Sequence, residues 1–142
     1  MPGGAASGFP KGVYGIGLRQ DLFPGEEDYF RKNPTVAGMA AEDDRIIMNP
    51  YSKLTDKEKQ AVMLNEAARV HMRTGTMEPP RFDLTPDQEK AFAKYSSDPI
   101  DRASTVAARI LSGDPSALQP TPEQLQYVQQ LGKFMGVNDA TR

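Results

Sequence analysis

The sequence is poor in residues that build metal sites and nucleophilic centres: it has no cysteine and one histidine, His71, in 142 residues. Without cysteine the chain cannot form disulfides, thiolate metal sites or a cysteine nucleophile. A lone histidine on an apolar helical face is typical of a packed side chain, and no G-x-S-x-G motif favours a serine hydrolase. Nowhere do about eighteen apolar residues run together. We therefore predict no catalytic residue, no metal, no cofactor and no membrane partner.

Charges of both signs are too evenly spread to form a basic face. The 17 Lys and Arg residues are balanced by 19 Asp and Glu residues, and the pI is near 5.4. A nucleic-acid-binding protein needs clustered cations to neutralise phosphates, so nucleic acid is not expected as the primary partner. The acidic run Glu42, Asp43 and Asp44 is expected to be a solvated turn, because three adjacent carboxylates cannot converge on one cation.

Glycine and proline are concentrated at the start of the chain. Residues 1–25 carry one or the other every few positions, which discourages a long helix and predicts an extended arm with one short strand near residues 13–18. The arm holds more aromatic and branched side chains than a free linker would, so we expect it to lie on neighbouring subunits. The residues predicted to bind a partner are Val13, Tyr14, Ile16, Leu18, Leu22 and Phe23.

The rest of the chain is rich in helix-start signals. Capping boxes begin at Thr55, Thr85 and Thr121, and Asp98 precedes Pro99 in a fourth start. Glycines follow three of these segments and are suited to end helices. We predict helices at about 55–74, 86–96, 99–112 and 122–136, after a shorter helix over 26–32 that must end before Pro34.

The apolar positions of these helices recur at helical spacing, which favours burial in one core. Leu64 is expected to be buried on the first long helix, and Phe92, Tyr95 and Phe134 are expected to join the same core. The predicted fold class is therefore mainly α. Four short capped helices would pack as one small domain over residues 26–142, with a minor β-strand component and the extended N-terminal arm over residues 1–25.

Residues 45–73 predict a short strand, a turn and a capped helix whose centre resembles a degraded zinc-peptidase motif. A zinc-binding H-E-x-x-H helix needs histidines at i and i+4 beside a glutamate base. Here Asn65 and Arg69 stand at the two histidine positions, and of the three chemical groups only Glu66 is present. The segment is similar to the strand–helix core of zincin metallopeptidases. That similarity leaves open an active enzyme with ligands from other positions, or a pseudo-enzyme that keeps the scaffold.

Residues 28–73 also resemble a block found in small proteins encoded among the virion-structure genes of tailed bacteriophages. The resemblance is carried by Asn33-Pro34, the loop 37–40, the segment 49–51 and the segment 65–69. It implies a non-enzymatic structural or adaptor component of the virion, present in several copies near the head-tail joint or tail, with other virion proteins as partners. Its location would be the virion, and the host cytoplasm during assembly. A phage-encoded inhibitor of a host protein is a further alternative.

Overall fold

A computed structural model describes residues 12–137 of the chain, and within them it contains five α-helices and four short strands. Helices account for 52% of the described residues and strands for 8%, which confirms the mainly α class. In chain order the elements are β1 (Gly12–Val13), β2 (Ile16–Gly17), α1 (Pro24–Lys32), β3 (Gly38–Ala40), β4 (Ile46–Met48), α2 (Asp56–Thr74), α3 (Pro86–Phe92), α4 (Pro99–Ser112), a 3₁₀ turn (Pro115–Ala117) and α5 (Pro122–Phe134).

The chain divides into two compact units, the first ending at Val70 and the second beginning at His71, so that α2 contributes to both. Residues 12–25 of the predicted arm fall in the first unit. The predicted boundary between an arm over 1–25 and a helical domain over 26–142 stays a prediction, and residues 1–11 of that arm lie outside the described residues.

The helix starts follow the capping signals of the sequence. At Thr55, Thr85 and Thr121 the threonine hydroxyl accepts the amide of the third helical residue at 3.1 to 3.2 Å, as predicted. Helix α1 begins at Pro24, two residues earlier than predicted, because the Glu26 carboxylate accepts the Phe23 amide at 2.9 Å. These contacts satisfy amides that have no partner within the helix.

The helix ends are set by glycine and by short-range turns. Gly75, Gly113 and Gly136 have φ between +75° and +82°, which suits glycine because it has no Cβ to clash. Helix α3 ends at Phe92 rather than near residue 96, because the Tyr95 amide bonds to the Phe92 carbonyl in a tighter i to i+3 turn. Tyr95 therefore lies outside the helix, 58% exposed, and its predicted burial is wrong.

The predicted single strand near residues 13–18 is wrong, since the chain turns back within it. Strands β1 and β2 form a small antiparallel hairpin that pairs Val13 with Ile16 across the two-residue turn Tyr14-Gly15. Both turn residues have positive φ, 54° and 86°, as the favoured type of two-residue hairpin requires. Gly15 adopts this conformation freely, whereas Tyr14 adopts it against its local preference.

The core of the first unit forms beside a second antiparallel pair, β3 and β4. Gly38 is needed in β3, because a Cβ there would lie 2.8 Å from Met48 Sδ and 2.9 Å from the Ile47 carbonyl oxygen. Leu18 continues the sheet through a parallel bridge to Ile46. The core cluster contains Phe30, Ala41 and Ile47, with Leu22, Val36 and Met39 packed against it.

Helix α2 buries a stripe that differs slightly from the predicted one. Met63, Ala67 and Val70 are at most 2% exposed and lie at i, i+4 and i+7, on one helical face. Leu64 lies at the edge of that stripe and is only half-buried, so the prediction that it is buried is wrong. In α5, Val128 and Leu131 are fully buried, whereas Phe134 is 50% exposed, against the prediction.

Candidate functional site

The degraded zinc motif lies on α2, where Asn65, Glu66 and Arg69 are each half-buried. Within the described residues, no group of three His, Cys, Asp or Glu side chains is placed to hold a metal ion. His71 is buried in the second unit, with Nδ1 2.9 Å from Thr76 Oγ1 and its ring edge-on to Phe134 at 5.1 Å. The absence of a catalytic metal stays a prediction.

In the first unit a buried arginine, Arg19, links the predicted arm to the start of α1. Arg19 is 8% exposed, and its two terminal nitrogens donate to the two carboxylate oxygens of Glu26 at 2.7 and 3.1 Å. Its Nε lies 3.5 Å from Asp43 Oδ2 and finds no hydrogen-bond acceptor among the described residues. The bond from Arg19, with that from the Phe23 amide, holds the pKa of the Glu26 carboxyl below its usual range.

Asp43 is a charged neighbour of Arg19, which the sequence did not indicate. The run 42–44 is a turn, as predicted, in which Glu42 and Asp43 are exposed and Asp44 is half-buried. Arg45 also pairs with Asp43 at 2.8 Å, and its hydrogen bond lowers the pKa of the Asp43 carboxyl. The turn thus faces Arg19 with a carboxylate that is ionised at neutral pH.

An aromatic surface lies at the start of α1, and we define it by Phe23, Glu27 and Tyr51. The Phe23 ring is 61% exposed, although the Arg19 guanidinium carbon lies 4.3 Å from its centroid. Glu27 follows Phe23 by one helical turn and accepts the Tyr51 hydroxyl at 3.1 Å. Two aromatic rings are thus held in place by charged partners and still face solvent. A groove of about 370 Å³ that includes Arg19 is lined by residues 18–20, 48–50 and Lys59.

The six residues predicted to bind a partner are placed very differently from one another. Val13 and Ile16 are buried in the chain itself, at 7% and 8% exposure. Tyr14, Leu18 and Leu22 are half-buried, and Phe23 is the most exposed of the six. Their partner-binding role stays a prediction, and Phe23 is the member with the most surface to offer.

In the second unit, the two capping glutamines meet. Gln88 and Gln124 are both fully buried, and each side-chain amide donates to the other's carbonyl, at 3.0 and 2.7 Å. Each carbonyl also accepts its own capping threonine amide. The remaining N–H groups go to the Ala117 and Asp83 carbonyls at 3.1 and 3.0 Å. All hydrogen-bonding groups of both side chains are used, which makes their burial favourable.

This amide pair places the 3₁₀ turn and an arginine beside α3. The bond from Gln88 holds Ala117, and Arg109 donates from Nη1 to Ser116 Oγ at 2.7 Å. The Arg109 guanidinium carbon lies 5.1 Å from the Phe92 ring centroid and 5.0 Å from that of Tyr95. Leu118, directly after the turn, is 44% exposed with φ +67° and ψ −159°. We call Tyr95, Arg109 and Leu118 the arginine surface.

Comparison with protein-family models, curated proteins and solved structures finds no match to this chain. No helix within residues 12–137 is long and apolar enough to cross a membrane. The aromatic surface and the arginine surface are therefore the features of the described residues from which a function can be proposed.

Proposed function

We propose that this protein is a non-enzymatic structural or adaptor component of a tailed-phage virion, present in several copies near the head-tail joint or tail. The observation that carries the proposal is the exposed Phe23 ring, held by Arg19 at the start of α1. The resemblance of residues 28–73 to virion-gene proteins supports the choice of particle.

The aromatic surface has the features of a contact anchor. Aromatic side chains contribute much of the binding energy at protein interfaces, because they bury a large area at a small cost in side-chain entropy. The contacts of Phe23 with Arg19 and of Tyr51 with Glu27 restrict both rings before any partner arrives. Preorganisation of this kind lowers the ordering cost of association.

The partner in this proposal is a neighbouring virion subunit, either a second copy or a different protein. Such an adaptor needs a surface that stays folded when free and becomes covered on assembly. The part of the predicted arm beyond residue 12 meets the first condition, because Val13 and Ile16 are buried and Arg19 is paired. Phe23 would be covered by the neighbouring subunit.

The test is incorporation into particles of the phage that carries the gene. Mass spectrometry of purified virions should find the protein in several copies per particle. Phe23→Ala should lower its copy number, while the melting temperature of the free protein falls only slightly through loss of the contact with Arg19. Phe134→Ala, which truncates a half-exposed ring in the second unit, is the matched control and should be incorporated normally.

Other outcomes would favour the other functions. Absence from mature virions together with co-purification of one host protein would favour an inhibitor. Stoichiometric zinc in the purified protein, with peptidase activity abolished by Glu66→Gln, would favour a zincin-like enzyme.

A further inference from the structure

The arginine surface of the second unit plays no part in the function proposed above. From its geometry we propose that it binds an acidic segment of another protein, in which an Asp or Glu lies beside an apolar side chain. This inference concerns residues 95–118 and does not depend on the virion assignment.

The Arg109 guanidinium supplies the charge of this surface. It contacts the Phe92 and Tyr95 rings and donates one hydrogen bond, to Ser116 Oγ. Cation–π contacts use the charge and leave N–H donors available. Among the described residues, no carboxylate forms an ion pair with Arg109. The side chain is therefore positioned within the chain but not neutralised by it.

The nearest acidic residue in sequence is already occupied. Asp114 Oδ1 accepts the Ser116 amide at 2.9 Å and so caps the 3₁₀ turn. Arg102, about two turns earlier on the same face of α4, differs because it pairs with Glu89 at 3.2 Å. Arg109 is thus suited to an external carboxylate, with which a guanidinium can form two parallel hydrogen bonds.

Leu118 combines an unusual backbone conformation with a partly exposed side chain. A positive φ with ψ near 180° is a region that only glycine enters freely, so a leucine there is strained. Its side chain does not repay that strain by burial in the chain, because it is 44% exposed. Leu118 follows Ser116, the hydrogen-bond partner of Arg109, by two residues, and Tyr95 stacks on the Arg109 guanidinium, so both add exposed apolar area to the segments that hold the arginine. This favours a partner with an apolar side chain beside its carboxylate.

A protein segment fits this surface better than nucleic acid does. A phosphate backbone is attracted by several clustered cations, whereas this chain has 17 basic and 19 acidic residues. One arginine held against a tyrosine ring is instead the composition of a protein-interface centre, where Tyr and Arg are enriched.

The test uses the full chain and three fluorescein-labelled probes: the capped peptide GLDDFG, its amide counterpart GLNNFG, and an oligothymidylate of eight nucleotides. Fluorescence anisotropy should show saturable binding of GLDDFG, and binding of GLNNFG weaker by about tenfold or more. Failure of GLDDFG to bind, equal binding of the two peptides, or binding of the oligothymidylate in preference to both would each overturn the proposal.

Variants then assign the binding to the surface. Arg109→Met should weaken GLDDFG binding by about tenfold or more, whereas Lys133→Met, which removes one exposed positive charge elsewhere in the unit, should not. Leu118→Gly should raise the melting temperature, because it relieves the strain, and yet weaken peptide binding. A change in stability alone cannot produce that pair of effects. Unchanged peptide affinity in both Arg109→Met and Leu118→Gly would exclude this surface as the binding site.

Discussion

Segments that are distant in sequence are held together by an ion pair in the first unit and by hydrogen bonds between two neutral amides in the second. In the first unit, the segment before α1 is held by a charged group, Arg19, which bonds Glu26 and faces Asp43. In the second unit, two helix starts are held by a neutral pair, Gln88 and Gln124. An ion pair weakens with salt and with protonation of its acid, whereas an amide pair does neither. The comparison therefore predicts that the two ties respond differently to solution conditions.

The largest expected effect comes from breaking the amide pair. Gln88→Met should lower the free energy of unfolding by about 3 kcal/mol, because it leaves buried donors and acceptors of Gln124, Thr85 and Ala117 without partners. Urea unfolding at pH 7 measures this loss, and Gln126→Met, at an exposed position of α5, should change it little.

A double-mutant cycle sharpens the same prediction. The double variant Gln88→Met/Gln124→Met should cost less than the sum of the two single variants, because the second substitution removes groups that the first has already left unpaired. Additive losses would mean that the two amides stabilise the unit independently. The losses should also be the same at low and high salt.

A smaller effect, which depends on salt and pH, is expected at Glu26. Its pKa is lowered in the folded protein from an ordinary value of 4.5, so its stabilising contribution is present above that value and is lost as the pH falls through the folded pKa. Glu26→Gln should cost about 1 to 2 kcal/mol at neutral pH and low salt, allowing for solvent screening of a partly exposed pair. Urea unfolding at pH 7 and pH 3 measures the difference.

The matched control lies on the same helix. Asp28 pairs with Arg31 and Lys32 at the surface, so Asp28→Asn should cost less than about 0.5 kcal/mol. A Glu26→Gln loss that persists unchanged in 1 M salt and at pH 3 would contradict the charged character of the tie.

The helix starts could be predicted from the sequence because their causes are local. A threonine and a glutamine three residues later are enough to indicate a capping box, and Thr85 and Thr121 behave accordingly. The sequence does not show that the two capping glutamines also bond each other, because that contact joins residues 36 positions apart. The sequence therefore predicts that each glutamine caps its own helix, but it does not predict the hydrogen bonds between the two glutamines.

The candidate surfaces were harder to predict for a similar reason. The sequence indicated Phe23 as a partner-binding residue from its apolar character, but it grouped Phe23 with Val13 and Ile16, which the hairpin buries. The hairpin itself depends on Tyr14 adopting a positive φ, which its residue type does not favour. Nothing in the pattern singled out Arg109 or Leu118, because Arg109 depends on the rings of Phe92 and Tyr95, which are distant in sequence, and Leu118 depends on a strained backbone.

The smallest expected effect concerns Tyr127, a polar tie of the second unit that does titrate. Its hydroxyl donates to the Glu78 carbonyl at 2.6 Å, and burial, with a smaller contribution from the Glu78 charge, raises the pKa of Tyr127 to about 12. Because the folded pKa lies above the ordinary value of 10.0, the stabilising contribution of the Tyr127 hydroxyl is fully present below pH 10 and is lost as the pH rises towards 12.

Tyr127→Phe should therefore cost about 1 kcal/mol at pH 8 and progressively less above pH 10. Urea unfolding between pH 8 and 11.5 measures this, with Tyr95→Phe, whose ring is mostly exposed, as the control. A Tyr127→Phe loss that stays constant across that range would mean that the hydroxyl does not titrate differently in the folded and unfolded chain.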